Sequence, residues 1–162
     1  MKLEKIPIYQ SMWFKPYFED KKDNINARNL GGWLYKRHFY MAWALSVYRL
    51  KKYYKNIILV TDSIGKQIAI DNLKLPYTEY YKDLDSNNFP TSLWATGKLL
   101  TYCMPKDEFL HFDNDVFIWK KIKDFSSKNE LIIQNYEYDL NFYKSSLNEI
   151  SQCFDFIPDD IN

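Results

Sequence analysis

Ile57-Ile58-Leu59-Val60-Thr61-Asp62-Ser63 is the stretch that decides the fold. Its run of aliphatic and β-branched residues, with no polar alternation, reads as a strand buried on both faces. That pattern belongs to parallel sheets rather than antiparallel ones. Asp62-Ser63 then offers helix N-cap chemistry, and a short helix is expected to follow through Leu73.

Working outward, the flanks alternate in type. Upstream, the spacing predicts a helix over 33–54, with Leu34, His38, Met41, Leu45 and Tyr48 on one stripe. Lys51, Lys52 and Lys55 gather at its end, where the helix dipole favours cations. His38, on an apolar stripe, reads as a satisfied core histidine. Residues 12–30 are polar and irregular and read as a long loop. Residues 6–11 read as a first strand, with Pro7 near its start. Downstream, a third strand is expected at 77–81 and a polar loop at 83–89. Pro90-Thr91-Ser92 opens a helix to Tyr102, and 109–112 is a strand closing in Asp113-Asn114-Asp115. A further strand at 131–134 and a last helix at 142–153 complete the series. This alternation predicts an α/β chain: a Rossmann-like three-layer sandwich with a mostly parallel central sheet, as a single domain over 1–162.

Composition narrows the function. Among 162 residues, 22 Lys plus Arg against 21 Asp plus Glu leave a net charge of +1, which argues against nucleic-acid binding through bulk positive charge. Only 4 glycines are present, so a phosphate site built on a glycine-rich loop is not expected; neither GxGxxG nor a P-loop occurs. Cys103 and Cys153 are too few for a disulfide scaffold and read as buried, reduced thiols of a cytoplasmic protein. The charged start Met1-Lys2-Leu3-Glu4-Lys5 does not read as a signal peptide. The most apolar helical stretch, 39–48, is about half of a membrane span, so none is expected.

The candidate chemistry lies where ligands of open α/β sheets sit, at the carboxyl ends of the strands. Three such ends stand out: Gln10 to Trp13, Asp62-Ser63, and Asp113 to Asp115. In extended backbone, residues i and i+2 point to one side. Asp113 and Asp115 can therefore converge on one hard cation, Mn²⁺ or Mg²⁺, with phosphates and water completing the shell. The same residue types also suit an exposed turn, and that alternative stays open. His111, two residues before Asp113, is expected to share its face and shape the site. Lys98 shares a helix face with Trp94 and Thr101, so its stem can be buried and its ammonium paired. Gln134 and Asn135 end a strand and are expected near sugar or acceptor hydroxyls.

The order of elements, the Leu-Val-Thr-Asp strand end, the helix carrying Trp94 and Lys98, and the strand closing in DxD resemble the nucleotide-binding half of GT-A-type glycosyltransferases. Ile6-Pro7-Ile8-Tyr9-Gln10-Ser11-Met12-Trp13 looks like the opening of bacterial capsular and mannosyltransferase-like members. The resemblance covers roughly residues 6–135. It implies a metal-dependent transfer from a UDP- or GDP-sugar to a glycan acceptor, in surface polysaccharide synthesis. By that resemblance Asp115 is the direct metal ligand, and Asp113 meets the ribose or reaches the metal through water. Gln10, Ser11 and Trp13 lie beside base and ribose, and Asp62 lies near the base. Lys98 lies near the diphosphate or the DxD carboxylates, and Asn114 belongs to the same nucleotide-binding group. Only 47 residues follow Asp115, against the second half usual in that family, so the chain reads as a minimal domain, as the donor half of a longer protein with a further C-terminal half, or as one that a partner chain completes. Two other readings compete. One is a non-catalytic module of the same fold that binds nucleotide, sugar or a protein. The other is a haloacid-dehalogenase-type phosphatase, because Phe112-Asp113-Asn114-Asp115 mimics that family's FDxD.

Overall fold

The structure, a computed structural model, describes residues 6–19 and 33–122. These all fall within the unit Met1–Phe125, which the contacts separate from Ser126–Asn162. The expected strand at 131–134, the helix at 142–153, Gln134, Asn135 and Cys153 lie outside the described residues, as does the far end of the expected single domain.

Four strands form one sheet in the order β3-β2-β1-β4, and every pairing is parallel. β2 (Ile57–Thr61) is buried at every position, as its unbroken apolar run requires. It pairs with β1 (Ile8–Met12) in the register Ile8↔Ile57 and with β3 (Glu79–Tyr81) at Ile58↔Glu79. β4 (Leu110–His111) lies on the other side of β1. Pro7 precedes the β1 ladder, where its missing N–H is harmless, and its carbonyl accepts from Leu110 N at 3.1 Å. β1 is therefore a central strand rather than an edge.

The helices are α1 (Lys15–Glu19), α2 (Lys36–Tyr53), α3 (Ser63–Lys66) and α4 (Thr96–Tyr102). α1 falls inside the segment read from sequence as loop. α3 passes directly into a π-helical turn at Gln67–Asn72. The strand pleat divides the core in two. Ile8, Ile57 and Leu59 pack on one face with Phe14, Phe39, Trp43, Val47 and Leu50. Tyr9, Ile58 and Val60 pack on the other with Trp13 and Leu84, beside Leu100 of α4. The described unit is thus an α/β layer structure around a parallel sheet.

Three expectations change. α2 buries Phe39, Ala42, Trp43, Ser46, Val47 and Leu50, whereas Met41, Leu45 and Tyr48 of the expected stripe are exposed. His38 is half-buried at the helix start, edge-on to Tyr35, and is not a core histidine. The Cys103 thiol, just past the end of α4, is exposed rather than buried.

Candidate functional site

β1 runs on to β2 and β3 to one side, while β4 adds to the other, so the strand order reverses at β1. The carboxyl ends of β1 and β4 flank this switch point, where α/β sheets open a crevice. A cleft of about 220 Å³ lies there. Ser11 and Met12 line it from β1, Lys98 from α4, and Asp113, Asn114 and Asp115 from the segment after β4. Tyr17, Trp33, Phe39, Ala42 and Trp94 supply its apolar and aromatic walls.

β4 ends at His111, and Asp113 to Val116 form a turn closed by Val116 N donating to Asp113 O at 3.1 Å. The two readings of this segment therefore coincide: it is a turn, as Asp and Asn favour, and it presents both carboxylates to the cleft. The turn, not the alternation of a strand, brings them to one side.

Lys98 Nζ lies 2.8 Å from each oxygen of Asp113. His111 stands on the same carboxylate, its Nδ1 3.8 Å from Oδ1, and its Nε2 is 2.8 Å from Ser11 Oγ. Burial holds the His111 imidazole down to a pKa of about 4, against the pull of Asp113 and with the help of Lys98. The ring is neutral at pH 7 and ties β1 to β4. Asp115 is exposed. Tyr17 stands near it, and its phenol is pushed up by burial and secondarily by that carboxylate. Asn114 between them is only 8% exposed, and neither its amide N nor its amide O has a partner among the described residues. A buried amide without partners is costly, which is the condition of a group that a ligand satisfies.

Gln10 is fully buried beneath this turn. Its Nε2 donates to Ser46 Oγ at 2.9 Å and to Asp113 O at 3.2 Å. Its Oε1 accepts from Tyr77 Oη at 2.6 Å, and Tyr77 accepts from Trp43 Nε1 at 2.6 Å. Ser46 in turn donates to Val116 O at 2.7 Å. This network grips both ends of the acidic turn from below.

Asp62 is buried, with Oδ1 accepting from Gly65 N and Oδ2 from Phe14 N and Lys15 N, each at 2.8 Å. It caps α3 and anchors the start of α1, and through α1 it sets Tyr17 against the cleft. Burial pushes its carboxyl up despite these three donors. Trp13 packs into the second core cluster, and its indole N–H has no partner among the described residues. Of the residues expected at the site, Ser11, Lys98, Asp113, Asn114 and Asp115 meet in the cleft. Gln10 reaches it through the Asp113 carbonyl, while Trp13 and Asp62 stand behind it. Tyr17, Trp33 and Phe39 were missed. The signal available for Tyr17 was the helix-compatible run Lys15-Pro16-Tyr17-Phe18-Glu19 with proline near its start.

A family model matches residues 6–162, nearly the whole chain; it describes a family of unknown function, DUF6734. The chain belongs to DUF6734. No curated protein and no solved structure matches it. The cleft of this DUF6734 chain must therefore be read from its own chemistry. Among its described residues, no three His, Cys, Asp or Glu side chains form a metal-binding group, and no helix is long and apolar enough to cross a membrane.

Proposed function

We propose that this DUF6734 chain is a GT-A-type glycosyltransferase domain, binding a nucleoside-diphosphate sugar in the cleft between β1 and β4 for transfer to a glycan acceptor. The observation that carries the reading is the meeting of Asp113, Asn114, Asp115 and Lys98 at the switch point of a parallel sheet. Such a cleft accepts a nucleotide at strand ends, and this one offers charged groups of both signs beside aromatic walls. Lys98 is placed to meet a phosphate, and the unpartnered Asn114 amide can both donate and accept toward a ribose or sugar hydroxyl. Trp94, Trp33 and Tyr17 offer flat faces to base or sugar. Neutral His111 keeps Ser11 and the β4 end in register.

A divalent cation fits the donor set. The carboxylate oxygens of Asp113 and Asp115 are hard ligands suited to Mn²⁺ or Mg²⁺, with phosphate and water oxygens filling the remaining positions. Lys98 engages both Asp113 oxygens, so Asp115 is the carboxylate open to direct ligation and Asp113 joins only as Lys98 withdraws. When bound, such a cation supplies charge neutralisation for a diphosphate leaving group. The aromatic walls position the sugar, and Lys98 offsets negative charge that grows on the phosphates. We place this activity in the cytoplasm, in surface polysaccharide synthesis.

Calorimetry with UDP and GDP, with and without Mn²⁺, tests the reading. Metal-dependent nucleotide binding that Asp115→Ala abolishes is the expected outcome. No nucleotide binding, or binding that Asp115→Ala leaves unchanged, overturns it. A second reading, a nucleotide- or sugar-binding module without turnover, is favoured by the cationic Lys98 already seated on Asp113. Release of free nucleotide from a nucleotide-sugar by the purified chain excludes that alternative.

A further inference from the structure

One face of α2 has no role in the cleft. Residues 33–56 hold six cations (Lys36, Arg37, Arg49, Lys51, Lys52 and Lys55) and no carboxylate, in a chain whose net charge is only +1. Along the outward line of the helix, Met41 is 66% exposed, Leu45 42% and Tyr48 57%. Their spacing of four and then three residues puts them on one stripe. Arg37 stands at one end of that stripe and Lys52 at the other, both exposed.

Trp119 extends the stripe sideways. It is 66% exposed, and its carbonyl accepts from Arg49 at 2.7 Å and from Tyr53 Oη at 2.6 Å, which fixes it against the helix. The Arg49 guanidinium lies 4.6 Å from the centre of its ring. The result is an outward surface of Met, Leu, Tyr and Trp edged by cations.

We propose that this face docks on the headgroup region of an anionic lipid bilayer. A basic rim around an apolar stripe matches a surface that is anionic outside and hydrocarbon within. Tyr and Trp favour the interface between the two, and Lys and Arg stems can lie along apolar surface while their heads reach phosphate. A second copy of the chain fits less well, because pairing this face with itself sets Arg37, Arg49 and Lys52 against cations of the other copy, with no carboxylate on α2 between them. A purely polyanionic partner such as nucleic acid would use the cations and leave Met41, Leu45 and Tyr48 exposed. The attachment proposed for this face is peripheral and reversible; among the described residues no helix is long and apolar enough to cross a membrane.

The test is sedimentation of the full chain with vesicles. Vesicles of phosphatidylcholine alone are compared with vesicles in which about a third of the lipid is phosphatidylglycerol. Binding only to the anionic vesicles is expected, weakening as salt shortens the screening length. Each cation contributes about fivefold in partition, the equivalent of ~1 kcal/mol, so Arg37→Glu and Lys52→Glu should each weaken binding about fivefold or more. Met41→Glu and Leu45→Glu should do the same through the apolar stripe. All four positions are exposed, so thermal unfolding of the variants should match the parent. Four results overturn the proposal. One is no binding to anionic vesicles at low salt. Another is vesicle binding that the four substitutions leave unchanged. The third is a dimer in solution, broken by Met41→Glu, in a chain that ignores vesicles. Oligonucleotide binding insensitive to Met41→Glu, with no vesicle binding, equally rejects it in favour of a polyanion.

Discussion

Replacing Gln10 by Leu separates two roles that the residue could hold. The side chain is fully buried and makes three hydrogen bonds: to Ser46 Oγ at 2.9 Å, to Asp113 O at 3.2 Å, and from Tyr77 Oη at 2.6 Å. Leucine removes all three at similar volume. A net neutral hydrogen bond contributes about 1 kcal/mol, and a buried donor left without an acceptor costs about 1–3 kcal/mol. Ser46 keeps its bond to Val116 O and Tyr77 keeps the one from Trp43, so the main orphan is the Tyr77 hydroxyl proton. Two bonds at about 1 kcal/mol each and the orphaned proton at about 1–3 kcal/mol give about 3–5 kcal/mol of lost stability. For a chain of this size that lowers Tm by about 6–20 °C.

Thermal unfolding followed by circular dichroism reads the loss, and calorimetry with UDP or GDP reads the site. Tyr77→Phe orphans Gln10 Oε1 and the Trp43 indole N–H together. The double variant should therefore be less destabilised than the sum of the singles, by about 1 kcal/mol. The reasoning is refuted if Gln10→Leu melts within about 2 °C of the parent and yet fails to bind nucleotide. That pattern would put Gln10 against the ligand instead of beneath the acidic turn.

Three further perturbations follow from the same structure. The His111 pKa falls from 6.5 to about 4 on folding, chiefly through burial. The unfolded chain therefore binds the proton more tightly, and stability is full above pH 6.5 and declines as pH drops toward 4. The loss reaches about 3 kcal/mol, and His111→Gln should flatten this part of a denaturation-versus-pH profile. Gly65→Ala would set a methyl against Thr61 Oγ1 and Phe14 Cδ2; overpacking of that kind costs about 3 kcal/mol, and urea unfolding should show it. Lys98→Met removes the ammonium from a half-exposed Asp113. Stability should change by less than about 1 kcal/mol, while Mn²⁺ affinity measured without nucleotide should rise about fivefold as the competing cation is lost. Unchanged Mn²⁺ affinity would refute the competition between Lys98 and metal for Asp113.

Much of the architecture was legible because it rests on local pattern. The unbroken run at 57–61 marked a strand buried on both faces, and Asp62 marked the helix start, where its carboxylate indeed accepts from Gly65 N. The acidic turn after an apolar strand marked the cleft, and Lys98 was expected near it. What escaped was the outward direction of α2. Its 18 residues carry apolar side chains on two adjoining stripes, and helical periodicity alone does not say which meets the sheet. Small Ala42 and Ser46 sit on the buried stripe beside Trp43 and let the helix approach, but that reasoning needs the sheet to be in place.

The residues at strand ends divide in the same way. By itself the chain determined an α/β order with parallel strands and an acidic turn at a strand end, because hydrophobic runs, caps and turn residues act over a few neighbours. Only the tertiary structure decided that Gln10 lies under the site rather than in it, that Asp62 spends both oxygens on three backbone N–H groups, and that Asn114 is buried without a partner among the described residues. Those outcomes depend on groups 36, 48 and 103 positions away in the chain. A polar side chain is structural or functional according to whether such distant partners satisfy it, and no local pattern records them.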